Sequence, residues 1–443
     1  MLFFSSAAAA EAQGFRPCLK CRPELAPGAA PIDAPARLAG RAAVIIEEDE
    51  RAANNVNYLA EQLQISERHL RRVFEDEYGV SPVRYLQTRK LLLAKSLLTD
   101  TKLPITDVAL TAGFKSVRRF NELFKDHYRL APRDFRKGNG NAQNTDPQDG
   151  ITVLLGYRPP YQWQTILDFL AGRVIAGVES VQGDYYRRTV RVLGQDGGVH
   201  SGWIEVAHLP KKQALAVTIS SSLLPVTAKV LARVRFLFDL NANPAEIDRC
   251  LAVMNNYKPD IYLSGTRVPG CFDSFEMTVR AILGQQVTVK AAQTLARRMA
   301  ETFGEPLATP FAELCYLFPS AETIAQLPHP IADRLGPIGI TGARSRCIGT
   351  LAQAIKDEEI QLTLAADPLE QMEKLLALPG FGPWTVNYVA MRALGWPDAF
   401  PHTDYGVKKA LEPLGAKQIL ELSEAWKPWR SYATINLWNS LSH

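Results

Sequence analysis

The stretch Leu378-Pro-Gly-Phe-Gly-Pro-Trp384, continued by Thr385-Val-Asn-Tyr388 and closed by Pro401-His-Thr-Asp404, decides how the C-terminal half of the chain is read. Gly380 and Gly382 bracket one hydrophobic residue between an amphipathic run, Leu369 to Ala377, and a second helical run, Trp384 to Leu394. Glycine permits positive φ and a close backbone approach. The turn is therefore expected to aim its N–H groups, with the next helix N-terminus, at an anion such as a DNA phosphate. Pro383 suits the first turn of the second helix, Pro397 and Pro401 end it, and Asp404 opens the next. For the glycines alone, an ordinary helix–turn–helix corner is an equal reading.

Working outward, Trp384 and Tyr388 stand at i and i+4 and project from one helix face. If that face lines a cavity, their two π faces sandwich a flat ring, a cationic one best. Asp404 then supplies the only charge of the cavity. The plainer readings are core packing for the aromatics and N-capping by Asp404 of the helix through Val407 and Lys408. A capping aspartate is still able to act in catalysis.

Around this segment lies a chain of 443 residues, long enough for about three domains with real cores. Hydrophobic residues make up 47% and charged ones 22%, as in globular proteins at large. A net charge of +4 permits nucleic-acid binding without arguing for it, so local clusters decide. No apolar run approaches a membrane span. Met1 to Ala10 is apolar but lacks a basic start and runs into Glu11, which argues against a signal peptide. The six cysteines are scattered except Cys18 and Cys21, as expected of a reduced cytoplasmic protein.

Cys18-Leu-Lys-Cys21 has the spacing of two thiolates on one zinc, yet a closed structural site needs four ligands and the next cysteine is Cys250. The run Arg16-Pro-Cys-Leu-Lys-Cys21 resembles the zinc domain of the adaptive-response protein Ada at its last two zinc cysteines. The resemblance implies that the other two, one of them methyl-accepting, precede Met1: the chain starts late or the gene is truncated. We expect a half site without stable zinc unless another group completes it, no cofactor, and no methyl-phosphate repair.

From Pro35 to Lys137 the periodicity predicts an all-α bundle. Leu59 to Phe74 reads as helix, tight turn, helix, with Ser66 the N-cap and Arg68, Arg71 and Arg72 on the outer side. The pattern repeats from Ile105 to Phe124: Gly113 serves the turn, Ser116 caps, and Lys115, Arg118 and Arg119 face outward. Two basic helices in tandem suit successive major grooves, their arginines gripping phosphates and guanines. Merely solvated basic helices are the poorer reading once the pattern repeats. This double pattern, ending Tyr128-Arg-Leu-Ala-Pro-Arg-Asp-Phe-Arg136, resembles the AraC-type DNA-binding domain, which implies sequence-specific DNA binding and transcription regulation.

Residues 138–150 hold no hydrophobic anchor beyond one alanine and read as a flexible linker. Residues 151–245 read as a small antiparallel α+β domain, with strands at Thr152 to Leu155, Tyr185 to Leu193, Ser201 to Val206 and Ala214 to Ile219. Helices are expected at Tyr161 to Ala176 and Pro225 to Phe238. Residues 246–443 are helical with short loops, among them the tight turn Leu335-Gly-Pro-Ile-Gly339. The expected fold is thus multidomain and mostly α: a zinc-domain remnant at 1–34, the double helix-turn-helix at 35–137, the linker, the α+β domain and an all-α domain.

Here a second resemblance becomes specific. The L-P-G-x-G turn, a following helix and an aspartate about twenty residues on resemble the helix–hairpin–helix DNA glycosylase superfamily. Residues 151–443 as a whole resemble its 3-methyladenine DNA glycosylase II type. The resemblance runs through Pro159-Pro-Tyr-Gln-Trp163, Arg280-Ala-Ile-Leu-Gly-Gln285, Leu378 to Tyr388 and Trp426-Lys-Pro-Trp-Arg-Ser-Tyr432. It implies that Asp404 is catalytic and that Trp384, Tyr388, Trp438 and Phe169 hold a flipped base. It further implies that Gly380 and Gly382 clamp a phosphate, and that Gln286 stands where a relative carries a hydrophobic wedge into the duplex. Lyase members carry a nucleophilic lysine where this chain has Trp384, so a monofunctional enzyme is expected. Cys315 and Cys347 lack the four-cysteine clustering of iron–sulfur glycosylases, and no Pro-Cys-His run supports alkylguanine transfer.

The expected function is excision of alkylated purines of the 3-methyladenine and 7-methylguanine type from double-stranded DNA, by hydrolysis of the N-glycosidic bond. One alternative is a regulator whose C-terminal half senses damage without catalysis; the presence of Asp404 speaks against it. Another is an adenine or uracil glycosylase of the same fold. With half a zinc domain the methylation trigger is missing, so the AraC-type module either tethers the enzyme or binds promoters constitutively, alongside RNA polymerase. A monomer in the bacterial cytoplasm, nucleoid-associated when on DNA and without membrane contact, completes the expectation.

Overall fold

The structure is a computed structural model and describes residues 7–15, 34–48, 52, 55–138, 150–194 and 197–441. They form two compact units: Met1–Arg158 with Val190–Arg235 and Leu240–Ala242, and Pro159–Thr189 with Phe236–Asp239 and Asn243–His443. No helix among the described residues is long and apolar enough to cross a membrane.

In the first unit, α1 (Ala34–Glu48) precedes the two helix-turn-helix pairs, α2 (Val56–Gln62) with α3 (Glu67–Tyr78) and α5 (Ile105–Thr111) with α6 (Val117–Tyr128). The long helix α4 (Pro82–Asp100) separates them in sequence. The caps are those expected: Ser66 accepts the His69 N–H and Ser116 the Arg119 N–H, each at 3.3 Å. Each turn needs left-handed backbone; Gly113 supplies it at φ +85°, and Gln64 adopts it at φ +56°. Leu70, Val73, Phe74 and Tyr78 bury one face of α3, and Phe120, Phe124 and Tyr128 the matching face of α6. Arg68, Arg71, Arg72, Lys115, Arg118 and Arg119 are all left exposed on the opposite sides. Their i,i+4 carboxylate neighbours, Glu67 at 3.5 Å from Arg71 and Glu122 at 3.1 Å from Arg118, hold them only weakly at such exposure.

The strands are β1 (Ile151–Gly156), β2 (Glu179–Gln182), β3 (Tyr185–Leu193), β4 (Val199–Leu209) and β5 (Ala214–Ile219), joined in the order β1-β5-β4-β3-β2. In the first unit Val217 pairs with Val153 on one side and Val206 on the other, a β-branched ladder typical of a buried sheet. The sequence reading missed β2, whose four residues, Glu-Ser-Val-Gln, carry almost no strand signal. The helix expected over Tyr161 to Ala176 is shorter, α7 (Trp163–Ala171), because Gly172 ends it.

The second unit is helical: α8 (Ser274–Leu283), α9 (Gly342–Lys356), α10 (Pro368–Ala377), α11 (Pro383–Arg392), α12 (Tyr405–Ala410) and α13 (Arg430–Asn439) frame the site, with further helices between. A buried ion network ties β2 and β3 to α8. Arg188 donates to Glu179 at 3.2 Å and to Glu276 at 2.7 Å, and Arg280 donates to the same two carboxylates. Tyr186 adds a hydroxyl to Glu179 at 2.7 Å. Burial works to raise both carboxyls; Arg280 and Arg188 overcome it at Glu179, bringing it down to about 2, whereas at Glu276 burial prevails and the carboxyl stays above its ordinary value.

Arg188→Ala leaves two buried carboxylates to Arg280 alone and is expected to cost the second unit about 3–5 kcal/mol in chemical unfolding. Because the folded Glu179 value lies below the unfolded one, its contribution is complete above about pH 4.3 and is lost as pH falls through about 2. Acid unfolding monitored by near-ultraviolet circular dichroism should show that dependence, reduced in the variant.

Candidate active site

The hairpin between α10 and α11 is built from two glycines with different duties. Gly380 sits at φ +93°, and an added Cβ would press to 3.0 Å against Cβ and Sγ of Cys347 on α9. Gly382 has φ −101°, caps α11 without a side-chain hydrogen bond, and an added Cβ there meets nothing within 4 Å. One glycine answers to the backbone; the other keeps the outer surface bare at a helix N-terminus, where anions are favoured. Gln285 fastens the hairpin, its Nε2 donating to the Gly380 carbonyl and the Thr385 hydroxyl at 3.0 Å each. Its neighbour Gln286 stands exposed with φ +53°, a conformation that costs a non-glycine residue energy.

Asp404 begins α12 and accepts the Val407 N–H at 3.1 Å, so the capping reading holds. It is not the whole role. The indole N–H of Trp438 donates to the same oxygen, Oδ1, at 2.8 Å, and that of Trp384 donates to Oδ2 at 2.8 Å. Three N–H donors from α11, α12 and α13 thus orient one half-buried carboxylate. Gly406 makes room for this: a Cβ there would lie 2.7 Å from Trp438 Cδ1 and 3.1 Å from Asp404 Oδ1. Helix α13 is itself pinned, since Arg430 grips Asp398 through two bonds of 2.7 Å.

The aromatics expected at the site do gather around Asp404. Trp384 and Tyr388 stack on each other, however, with centroids 5.4 Å apart and planes 15° apart. A ring between two others needs about 7 Å, twice the carbon contact distance. The i,i+4 pair therefore forms one wall rather than a slot, which corrects the sandwich expected from spacing. The gap nearest that width lies between Phe169 on α7 and Trp438, nearly parallel at 14° with centroids 6.2 Å apart.

Two arginines that sequence reasoning missed pack beside these rings, so Asp404 is not the only charge there. Arg173 lies 3.8 Å over the Phe169 ring, and Arg392 lies 4.9 Å from that ring and donates to the Tyr388 hydroxyl at 2.9 Å. Burial pushes the Tyr388 phenol up, but Arg392, Arg173 and Arg280 together bring it below its ordinary value. The Arg173 guanidinium is lowered, chiefly by burial. Neither arginine belongs to a motif, but each stands one turn beyond a named aromatic, Arg173 after Phe169 and Arg392 after Tyr388, so helical spacing made both inferable as neighbours. Among the described residues no cluster of three or more His, Cys, Asp and Glu is placed to hold a metal. Cys18 and Cys21 lie outside the described residues.

Four family models match the chain: the metal binding domain of Ada at 1–24, a helix-turn-helix domain at 59–138, the AlkA N-terminal domain at 152–273, and the HhH-GPD superfamily base excision DNA repair protein at 279–426. A probable bifunctional transcriptional activator/DNA repair enzyme AlkA of Mycobacterium tuberculosis is 33% identical over 448 residues, spanning 100% of this chain and 88% of that protein. DNA-3-methyladenine glycosylase 2 of Escherichia coli is 36% identical over 284 residues, 64% of this chain and 95% of that protein. Among solved structures, a 3-methyladenine DNA glycosylase from Archaeoglobus fulgidus shares the fold, with TM-score 0.53 and 20% identity over 65% of this chain and 97% of its own.

The two hairpin glycines should separate in a stability measurement. Gly380→Ala is expected to lower stability by about 1–3 kcal/mol through its left-handed backbone, and Gly382→Ala by less than about 0.5 kcal/mol. Urea unfolding of the two variants beside the wild type checks the contrast.

Proposed function

The chain belongs to the AlkA family of bifunctional transcriptional activator and DNA repair proteins, and on that footing we propose that it excises alkylated purines through a cavity centred on Asp404. The observation that carries this reading is the Asp404 carboxylate, held by three N–H donors among aromatic walls, behind a glycine hairpin. The enzyme is a DNA-3-methyladenine glycosylase and its partner is DNA.

The target base is unreachable inside the stack, so the nucleotide is flipped out before chemistry. Gly382 and the bare start of α11 seat a backbone phosphate, and Gln286, raised on a loop fastened by Gln285, fills the space the base leaves. The base enters against Phe169, Tyr388 and Trp438, with the Phe169–Trp438 gap widening to take it. An N-alkylated purine already carries positive charge and departs without a strong acid. The sugar is left with oxocarbenium-like charge, which Asp404 stabilises while it orients the attacking water. The two indoles fix where that carboxylate points. Trp384 occupies the place of a lyase lysine, so the reaction stops at hydrolysis.

The exposed basic faces of α3 and α6 read promoter DNA and grip phosphates, which makes binding strongly salt-dependent. On this reading the protein acts as a monomer in the cytoplasm, at the nucleoid and near RNA polymerase, without cofactor.

Wild type is expected to release 7-methylguanine from methylated duplex DNA, and Asp404→Asn to lose at least about a hundredfold in single-turnover rate. Borohydride should trap no enzyme–DNA adduct. If the wild type releases no methylated base, the C-terminal half is a sensor and the catalytic reading fails.

A further inference from the structure

We infer that Arg173 and Arg392, acting directly and through the hydroxyl of Tyr388, hold the base end of the cavity positive, so that the glycosidic electron pair is drawn onto the departing base. The inference rests on the proposed reading of the cavity as a base pocket. It concerns charge that the cavity carries in addition to Asp404.

Arg392 is only 2% exposed, and each hydrogen bond of its guanidinium goes to a neutral oxygen: the carbonyls of Pro269 and Gly270 and the hydroxyl of Tyr388. Arg173 donates to the Phe169 carbonyl at 3.1 Å and lies close enough to Tyr388 for their charges to interact. A buried charge normally has an opposite charge beside it, because desolvation is otherwise uncompensated. Here two guanidiniums share one phenol and a few carbonyls. The carboxylate of the cavity, Asp404, is instead bound by the indoles of Trp384 and Trp438.

The carboxylate is hydrogen-bonded by the tryptophan nitrogens and acts on Arg173 only through space, while the guanidiniums hydrogen-bond neutral oxygens and lie against Phe169 and Tyr388. A base stacked on Phe169 or Tyr388 has the guanidiniums as its next neighbours. The Tyr388 oxygen accepts from Arg392, which leaves its proton as the donor it offers to an acceptor atom of the base. Burial opposes ionisation of this phenol, yet the arginines hold its titration below the ordinary value, a measure of the local positive field.

When the C1′–N bond breaks, its electron pair stays on the base nitrogen. A cationic N-alkyl purine leaves neutral. A neutral purine leaves as an anion, while water bonds to C1′ and releases the proton that neutralises it. In both cases positive charge moves from base to sugar, towards Asp404, and the guanidiniums oppose its return. For a neutral base they also stabilise the anion itself, so a neutral base depends on them more.

Single-turnover excision from duplexes carrying one 7-methylguanine or one hypoxanthine tests this in the full-length protein. Arg173→Met, which keeps the stem over Phe169 and removes the charge, should lose at least about tenfold more rate on hypoxanthine than on 7-methylguanine. Arg173→Lys should recover most of that difference, and Tyr388→Phe should shift the ratio the same way as Arg173→Met. A merely structural role would lower both rates together. Equal losses on both bases, no rescue by lysine, or a wild type active on 7-methylguanine but inert on hypoxanthine overturns the inference. A wild type inactive on 7-methylguanine instead defeats the reading beneath it.

Discussion

Two indole N–H groups, each 2.8 Å from a different oxygen of Asp404, set the conditions that the second unit has to meet. A carboxylate among aromatic rings loses water on several sides, and the loss is tolerable only if its lone pairs are taken up by donors. The capping N–H of Val407 satisfies one position and the tryptophans the others. Those tryptophans come from α11 and α13, so the two helices and the start of α12 must be mutually placed to within hydrogen-bond tolerance. Gly406 gives the closeness, and the Arg430–Asp398 pair stiffens the helix that carries Trp438.

The buried network of Arg188, Arg280, Glu179 and Glu276 bears on the same geometry from another side. Arg280 also donates to the Arg173 carbonyl at 3.0 Å, which links the network to the residue that packs on Phe169. Buried ion pairs contribute little net stability compared with apolar packing of the same shape, but breaking one is costly. Such a network is therefore a positional device: it holds the segment after α7 where the loop alone would not. The wall made by Phe169 and Arg173 is held in place through the bond from Arg280 in this network of four charges.

What was legible in the sequence is what is local. Caps at Ser66, Ser116 and Asp404, the turn at Gly113, the hairpin glycines and the periodic faces of α3 and α6 each depend on a handful of adjacent residues, and each is where it was expected. The sandwich of Trp384 and Tyr388 was wrong because helical spacing says that two rings meet, not whether space is left between them. Gly406 was invisible for a different reason: its partner Trp438 is distant in sequence. Arg173 stands one turn after Phe169, but its approach to Tyr388 joins segments that no spacing relates. Strand β2 was lost because its pairing with β3, not its own composition, makes it a strand.

The double duty of the tryptophans has a consequence for how the site has to be taken apart. Trp438 faces Phe169 with its ring and Asp404 with its nitrogen. Removing the whole side chain therefore mixes two losses, a stacking surface and a donor to the carboxylate. A phenylalanine in its place keeps most of the surface and removes the donor, leaving one oxygen of Asp404 with the Val407 N–H alone. Because the interactions share atoms, their energies do not add, and a deletion at either tryptophan overstates base stacking by whatever the misplaced carboxylate costs. Stacking and charge placement are one construction here: the rings that receive the base also aim the anion at the sugar.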